Sequence, residues 1–498
     1  MAGTITITIS RSIRNLFFLI VATILLITFY RSATSTSGSS FSTSYLLPSS
    51  WQSAETTSGG LTIPEEITNL ASGERELAIK QYEYASNMGS YFDPNPHWGG
   101  GREDYKFYSD VQLRKLAVCT ATNTCRENQT SVIILGYIHA HFHIYEGYMG
   151  GEGIWTSYLV QTLEKWGYTI LHARDDWPYI WYLYNQIPDL VKGVIAWRTG
   201  QYGTFDDKVK THGRGNGVPA WKFFVYNYFP DHYTSIVGDA WNMHSEFGYS
   251  KKQRNFTFIP YVVEPATTPP YTPATTRPYQ VYILAKFVRY FYPGAQPAWE
   301  DRGIFLRAKT ILEKEFPGFE FVVGCKDDRN AAQQKEVPME VPEGVRNLGK
   351  MDRLEFESQL ANSRAMLGIG WPTLSPSPHV ALSLGIPFIN PYSMNGWSKK
   401  DDPESWAQSQ HHTLKVLDPP YNYNVLRNNE TEFIDAIRQA LLHPIEPFIL
   451  PTMTREYHEK QIAEWLHTDW RSKAEEILEL RRKGIETQNG KDVKDFTL

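Results

Sequence analysis

Hydrophobic and polar positions alternate along much of this chain in the order buried strand, amphipathic helix, buried strand. The first run begins with the apolar segment SVIILGYI at residue 131 and continues through the helical pattern IWTSYLVQTLEKWG to the strand YTILHA. Apolar Ile154, Tyr158 and Leu163 fall on one face of that helix, and Gly167 is a typical helix stop. With the later apolar runs VKGVIAW, WKFFVYNYF and FTFIPYVV, the pattern predicts a first α/β domain.

A proline-rich segment separates this pattern from a second one. The sequence EPATTPPYTPATTRP contains no aliphatic residue except alanine, which indicates an extended linker. Beyond it, the strands YQVYILA, FEFVVGC, AMLGIG and IPFINP alternate with helical patterns such as IFLRAKTILEKEF and ETEFIDAIRQALLH. The sequence therefore predicts two α/β sheets joined by a linker, followed by a charge-rich helical tail exposed to solvent.

An apolar segment near the start, Leu16 to Tyr30, follows Arg11 and Arg14 and precedes a Ser/Thr-rich stretch. We expect an uncleaved signal-anchor that leaves the rest of the chain in the lumen, and cleavage stays open as an alternative. The predicted organisation is a cytoplasmic tail (1–15), a transmembrane anchor (16–30), a flexible stem (31–70), a first domain (71–264), a linker (265–278), a second domain (279–470) and a charged tail (471–498).

Composition narrows the function classes. The net charge of −5 gives no basic footprint, so we expect no nucleic-acid partner. Of the three cysteines, Cys119 and Cys125 in CTATNTC could close a small disulfide loop in an oxidising lumen, and Cys325 stands alone on a predicted strand. Asn128, Asn255 and Asn429 carry the N-glycosylation pattern, which matters only if the chain is luminal.

The stretch GIGWPTLSPSPHVALSLGIPFINP, residues 368–391, predicts a strand, a turn, a short helix and another strand. Gly368 and Gly370 let the backbone approach a ligand, and Pro378 favours a helix start whose free N–H groups attract anions. In this fold class ligands bind at the carboxyl ends of the strands. An ordinary packed connection between two strands is the alternative.

The first domain offers two further candidate sites. In YMGGEG, Gly150 and Gly151 begin a helix and Glu152 lies in its first turn, where it could be a general base or only a favourable charge at the helix dipole. His139, His141 and His143 alternate in HAHFH and could share one face of a strand, but the preceding strand already ends at Ile138 in the sequence pattern. Because no HExxH spacing is present, we favour a structural or substrate-contact role for these histidines over a metal site.

The second domain, from NLGKMDRLEFESQLANSRAMLGIGWPTLSPSPHVALSLGIPFINP through SQHHTLKVL to ETEFIDAIRQALLHPIEPFILPTMTREY, resembles the alpha-1,6-mannosylglycoprotein 6-beta-N-acetylglucosaminyltransferases of glycosyltransferase family 18. In the first domain the resemblance rests on GGEG and the helix ending LEKWGYTI. It implies a Golgi membrane enzyme, single-pass type II, with two Rossmann-like domains facing across a cleft (the GT-B fold). It also implies inversion, a UDP-N-acetylglucosamine donor, a glycan or glycoprotein acceptor, and no metal or other cofactor.

Site residues follow from the resemblance by position. Glu152 takes the family's catalytic carboxylate, with Gly150 and Gly151 on the acceptor side. The donor-binding residues implied are Lys286, Gly370, Trp371, Pro372, Pro376, Ser377, Pro378, His379, Gln410 and His411, and Ser409 belongs to the same Ser-Gln-His element.

The chain departs from the family at Leu374 in the donor turn and Val380 in the donor helix, where the family has acidic residues. The expected function is transfer of N-acetylglucosamine from UDP in beta-1,6 linkage to an alpha-mannoside of an N-glycan. A GT-B transferase with another nucleotide sugar or acceptor, and a catalytically silent luminal glycan-binding protein, are the alternatives.

Overall fold

The computed structural model describes residues 69, 104–197, 199–200, 203–204, 209–210, 215, 217–229, 235–246, 255–263, 272–485 and 496–498. The predicted anchor, residues 16–30, and all of the stem except Asn69 lie outside these ranges. Within the described ranges, no helix combines the length and apolar character needed to cross a bilayer.

The described residues between 104 and 263, here called the first region, form one parallel sheet and a small antiparallel pair of strands. Its strands are β1 (Val132–Gly136), β2 (Thr169–His172), β3 (Val191–Ala196), β4 (Thr199–Gly200), β5 (Gly203–Thr204), β6 (Phe223–Tyr226), β7 (Asn242–His244) and β8 (Thr257–Phe258). The parallel sheet has the order β2-β1-β3-β6-β7-β8, and β4 pairs with β5. The chain therefore reverses its direction of travel across the sheet between β1 and β3, which makes their carboxyl ends a ligand-binding edge in this fold class.

Four helices accompany these strands: α1 (Asp104–Thr122), α2 (Ile138–Glu146), α3 (Gly151–Lys165) and α4 (Trp177–Gln186). Helix α2 carries His139, His141 and His143, so these histidines do not lie on a strand. The strand ends at Gly136, and the helix closes at Gly147, whose φ of 69° suits a left-handed C-terminal cap. On a helix His139 and His143 lie one turn apart, whereas His141 points elsewhere, so the three imidazoles do not share a face.

The second region contains a seven-stranded, mostly parallel sheet. Its strands are β9 (Gln280–Leu284), β10 (Glu320–Val323), β11 (Val345–Asn347), β12 (Ala365–Gly368), β13 (Phe388–Ser393), β14 (Gln408–Ser409) and β15 (Asn422–Leu426). The order is β11-β10-β9-β12-β13-β14, with β15 also pairing with β13. Only the β13–β14 pair is antiparallel. The expected α/β class with parallel sheets is confirmed.

Both faces of the second sheet are buried, which explains the near-continuous apolar strands. Val281 and Ile283 of β9 pack in one core, and Tyr282 and Leu284 pack in another on the opposite face. The helices of this region are α5 (Ile304–Glu315), α6 (Ala331–Glu336), α7 (Arg353–Ala361), α8 (Ser377–Ser383) and α9 (Glu430–Leu442). The two sheets share one compact unit, to which the segment 328–338 with α6 does not belong.

The last two helices correct the expected exposed tail. Helices α10 (Arg455–His467) and α11 (Trp470–Arg482) bury Trp465, Trp470, Ala474 and Leu478 in the core of the first sheet, not the second. A Cβ on Gly193 of β3 would lie 3.0 Å from the Trp465 ring. The charged residues that suggested a tail lie on the outer face of an amphipathic helix, and Phe496 beyond it is also buried.

Two of the three cysteines are joined. Cys119, in the last turns of α1, forms a disulfide with Cys125, and Cys325 is buried in the second region.

Candidate functional site

Lys286 and Gly370 each lie two residues beyond a strand end at the carboxyl edge of the second sheet. The register pairs Leu284 of β9 with Gly368 of β12, so the residues that follow each strand leave the sheet at the same point. The strand order reverses between β9 and β12, which is where ligands bind in open α/β sheets. Burial lowers the pKa of Lys286, and the negative charge of Glu152 in the first region opposes that shift.

The turn after β12 requires glycine twice. Gly370 has a φ of 99°, which side chains rarely adopt, and a Cβ on Gly368 would lie 2.3 Å from Oε1 of Gln410. That oxygen accepts a hydrogen bond from the Gly370 N–H at 2.8 Å, and Nε2 of Gln410 donates to the Pro372 carbonyl at 3.1 Å. Gln410 therefore holds the turn, and its amide already has two backbone partners.

Trp371 is the most exposed part of this turn, with 42% of its side chain accessible. Pro376 precedes α8 and its side chain makes no capping hydrogen bond. The Ser377 N–H donates to Oγ of Ser375 at 3.3 Å, and Pro378 has no N–H. The expectation of several free N–H groups at this helix start is therefore wrong at its first two positions, and Lys286 becomes the main candidate for holding a diphosphate.

His379 and His411 contact the first region. Nε2 of His379 lies 3.2 and 3.3 Å from the two carboxylate oxygens of Glu246, just beyond β7. Thr413 donates to the same carboxylate at 2.7 Å, and Tyr261 donates to it as well. Nε2 of His411 lies 3.9 Å from Glu246 and donates to the Ser375 carbonyl at 3.2 Å. No pattern in the sequence points to Glu246.

Glu246, His379 and His411 form a buried cluster, so the protonation state of each side chain matters. Burial raises the pKa of Glu246, but the charge and hydrogen bond of His379, with smaller contributions from His411 and Tyr261, outweigh burial and hold that pKa well below the usual range. Burial lowers the pKa of His411 to about 3, more strongly than the charge of Glu246 raises it. We therefore treat Glu246 as an ionised carboxylate that accepts hydrogen bonds.

Glu246, His379 and His411 also have the residue types of a metal site, and their ligand atoms lie within 4.8 Å of one another. Two carboxylate oxygens would have to give up hydrogen bonds from Tyr261, Thr413 and His379 to bind a cation. His411 would likewise lose the Ser375 carbonyl. The Glu246 carboxylate is satisfied by these hydrogen bonds, which favours a hydrogen-bonded cluster over a metal centre, while Nδ1 of His379 is buried without a hydrogen-bond partner among the described residues.

Ser409 completes the Ser-Gln-His element at the edge strand β14. Its hydroxyl accepts from Nδ2 of Asn390 at 3.0 Å, and the same Asn390 nitrogen reaches the His411 carbonyl at 3.2 Å. The Ser-Gln-His element therefore contacts β13 on one side. On the other side, Gln410 and His411 form hydrogen bonds to the turn.

Glu152 lies half-buried in the first turn of α3, and the Tyr148 hydroxyl donates to its Oε2 at 3.3 Å. His139 packs nearby, with its ring centroid 5.6 Å from that of Tyr148 and 4.8 Å from that of Trp197. Burial lowers the pKa of His139, whereas the charges of Glu152 and Asp175 raise it. The carboxylate of Glu152, the imidazole of His139 and the rings of Tyr148 and Trp197 therefore lie near the carboxyl ends of β1, β2 and β3. All four residues lie outside these three strands.

Gly150 and Gly151 do not leave open space as expected. A Cβ on Gly150 would lie 1.9 Å from the Tyr148 hydroxyl, and one on Gly151 would lie 2.2 Å from the ring of Tyr228. The tyrosine rings fill the space that the sequence analysis assigns to an acceptor. Tyr228 also donates to the Leu374 carbonyl at 2.5 Å, so this packing connects the base candidate to the donor turn.

The three glycosylation candidates have different environments. Asn255 is exposed, whereas Nδ2 of Asn128 donates to the Trp166 carbonyl at 3.0 Å. The Asn429 side chain caps α9 by accepting from the Glu432 N–H at 3.1 Å. Modification of all three sites stays a prediction, and Asn255 has the most accessible side chain of the three.

Comparison with known proteins finds similarities in the second region. The model of glycosyltransferase family 18 matches residues 294–469. Alpha-1,6-mannosylglycoprotein 6-beta-N-acetylglucosaminyltransferase B of Homo sapiens is 28% identical over 124 residues, which is 23% of this chain and 16% of the relative. The corresponding A enzyme of Cricetulus griseus is 29% identical over 117 residues, or 22% of this chain and 16% of the relative.

The chain also has a distant similarity to solved structures. One of them is a UDP-GlcNAc 2-epimerase from Neisseria meningitidis bound to UDP-GlcNAc. It is 10% identical and has a TM-score of 0.29 over 78% of this chain and 96% of its own. An O-GlcNAc transferase from Thermobaculum terrenum is 12% identical, with a TM-score of 0.30 over 82% of this chain and 84% of its own.

The family match covers the turn after β12, helix α8 and the Ser-Gln-His element, which are the segments that gave the resemblance in the sequence. The match to the curated relatives spans only 16% of their length. The match to the model of glycosyltransferase family 18 therefore agrees, over residues 294–469, with the resemblance found in the sequence, at an identity expected of a divergent relative.

Proposed function

We propose that this protein is an inverting glycosyltransferase that transfers N-acetylglucosamine from UDP to a hydroxyl of a glycan, in beta-1,6 linkage to an alpha-mannoside. The observation that carries the proposal is the placement of Glu152 and Lys286. The first is a half-buried carboxylate in the first turn of α3, and the second follows the central strand of the other sheet. The charge of Glu152 also raises the pKa of Lys286 against the effect of desolvation, so the two groups lie within electrostatic range of each other.

The chemistry follows from that placement. The acceptor oxygen attacks the anomeric carbon as its proton passes to the Glu152 carboxylate, and the bond between that carbon and the diphosphate oxygen breaks. UDP leaves with the bonding electron pair. The Lys286 ammonium, whose side chain is exposed just beyond β9, stabilises the charge that develops on the diphosphate.

Turnover is expected to survive excess chelator, because the proposed site neutralises the leaving diphosphate with a protein cation. The purified chain is given a panel of nucleotide sugars, with and without EDTA, and release of the nucleotide is measured with and without an alpha-mannoside acceptor. UDP-GlcNAc should be the preferred donor in both conditions.

Each other outcome selects an alternative. Preference for another nucleotide sugar would keep the transferase and change its donor. Release of nucleotide from none of them would favour the silent glycan-binding protein. Loss of turnover in EDTA that manganese restores would contradict the metal-independent mechanism.

Val380 and Leu374 favour a second candidate function, in which the donor is a nucleotide sugar other than UDP-GlcNAc. Val380 is half-buried and packs against the core on one face of the second sheet, and Leu374 is fully buried in the core of the first. His379 and Gln410, the neighbours that could replace a missing carboxylate, already bond Glu246 and the turn. The ribose of a nucleotide therefore lacks an evident acidic partner at these positions.

Val380→Glu is expected to tighten UDP binding by roughly fivefold, because a neutral hydrogen bond contributes about 1 kcal/mol. Calorimetric titration of UDP into the wild type and the variant measures this. Val380→Gln is the matched control, since it keeps the length of the side chain without its charge. Weaker UDP binding in the Glu variant than in the Gln variant would place the ribose elsewhere.

A further inference from the structure

The turn that follows β12 is held against the first region at three separate points. The Leu374 side chain is buried in the core of the first sheet, and its carbonyl accepts from the Tyr228 hydroxyl. The Ser375 carbonyl accepts from His411, whose other ring nitrogen lies 3.0 Å from Oγ1 of Thr413. Thr413 in turn donates to Glu246 of the first region. The turn therefore depends on groups that do not belong to its own sheet.

Glu246 is the group on which most of these contacts converge. It accepts from Thr413 and Tyr261 and lies within hydrogen-bond distance of His379, which is in α8 directly behind the turn. Its carboxylate is fully buried, so water cannot replace a lost partner. The Nε2 atoms of His379 and His411 face this carboxylate, whereas Nδ1 of His379 is buried without a hydrogen-bond partner in the described part of the chain.

We propose that Glu246 is a positioning residue for the donor side: through His379, His411 and Thr413 it fixes the turn 371–377 in the shape that receives the nucleotide. His379 and His411, expected from the family resemblance to touch the donor, act from behind the turn. The turn is then complete only while the two regions are packed together. The part that concerns the nucleotide rests on the proposed function, whereas the part that concerns the turn does not.

The test compares two buried carboxylates in the full chain. Glu246→Gln removes the charge with little change of volume. Glu357→Gln is the matched control, because Glu357 of α7 is equally buried and is paired with Arg353 at 2.8 Å. Both variants lose a buried charge, so a purely structural effect should lower the melting temperature of both.

Hydrogen–deuterium exchange of the amides of residues 370–380 is the first measurement. In Glu246→Gln these amides should exchange at least tenfold faster than in the wild type, since a hydrogen bond to a charged group is worth a tenfold or larger change in an equilibrium. In Glu357→Gln they should exchange at the wild-type rate. Unchanged exchange in Glu246→Gln, or equal acceleration in both variants, would overturn the proposal.

The second measurement is UDP affinity by calorimetry, with KM values for donor and acceptor. We expect Glu246→Gln to weaken UDP binding roughly tenfold and to raise the donor KM, with the acceptor KM within about twofold of the wild type. His379→Gln should have a similar effect, and the double variant should lose little more, because the two residues act as one unit. Additive losses would contradict the link between them.

A measurement of bound metal tests the remaining explanation, namely that Glu246, His379 and His411 form a metal site. Stoichiometric zinc in the purified wild type that is lost in Glu246→Gln would show that the cluster is a metal centre, and would overturn the positioning role. If the wild type neither binds UDP nor cleaves any nucleotide sugar, the proposed function fails. The exchange of the turn would still decide whether Glu246 fixes it.

Discussion

Glu152→Gln is expected to reduce sugar transfer by roughly two to four orders of magnitude while donor affinity stays near the wild-type value. An inverting displacement needs a base charged at the working pH and within hydrogen-bond reach of the attacking hydroxyl. The Glu152 carboxylate lies in the first turn of α3, at the positive end of the helix dipole, and supplies the proton acceptor. The glutamine keeps the size of the side chain and an oxygen that accepts from Tyr148, so only the base is lost.

The alternative interpretation of Glu152 gives a different result. If the carboxylate only offsets the helix dipole, the variant should lose about 1 kcal/mol or less of stability, with turnover nearly intact. Turnover, UDP affinity and melting temperature measured on one preparation distinguish the two. Glu164→Gln, in the last turn of the same helix, is the control and should leave transfer unchanged. Near-normal turnover in Glu152→Gln would remove it as the base.

The donor edge could be predicted from the sequence because it depends on local pattern. Buried strands followed by glycine or lysine at their carboxyl ends place Lys286 and Gly370 on one edge once the strand order is known, and the register of β9 against β12 brings them together. Glu152 could be found for the same reason, since the first turn of a helix is visible as two glycines before an amphipathic run.

Glu246 could not be found in this way. It lies 133 residues from His379 along the chain, and no period or motif links the two. Its partner His379 was assigned to the donor by resemblance, although the ring faces a carboxylate of the other sheet. Contacts of this kind form only when two separately patterned regions pack, and they carry no signal in either pattern alone.

Helices α2 and α11 show the limits of pattern at shorter range. Three histidines at alternate positions suggest a strand, but β1 is already complete at Gly136 and the next segment ends at a left-handed glycine cap. The charge-rich C-terminal sequence suggests solvent, yet Trp470, Ala474 and Leu478 form one buried stripe at helical spacing. In both cases the deciding interaction is with another element.

Two buried histidines, His172 and His244, are expected to account for about 4 kcal/mol of the stability that the protein loses between pH 7.5 and pH 5. Burial lowers the pKa of His172 and of His244 to about 3 in each case. Nδ1 of His172 accepts from the Tyr145 hydroxyl at 2.7 Å, and Nδ1 of His244 accepts from the Ser245 N–H at 2.8 Å. Protonation at either nitrogen would break those bonds, so both rings stay neutral in the folded chain.

The sign of the effect follows from the lowered pKa. The unfolded chain protonates each imidazole near pH 6.5, whereas the folded chain does so only near pH 3, so the stability contribution is complete above pH 6.5 and is lost as the pH falls below it. Each histidine then costs at most about 1.4 kcal/mol per pH unit.

Urea unfolding at pH 7.5, 6.5, 5.5 and 5 measures the slope. In His172→Gln the oxygen still accepts from Tyr145 but does not titrate, so the loss over the same range should be smaller by about 2 kcal/mol. The exposed His443 supplies the control, since His443→Gln should leave the slope unchanged. A slope in His172→Gln equal to that of the wild type would mean that His172 is already protonated in the folded chain, and that acid sensitivity arises elsewhere.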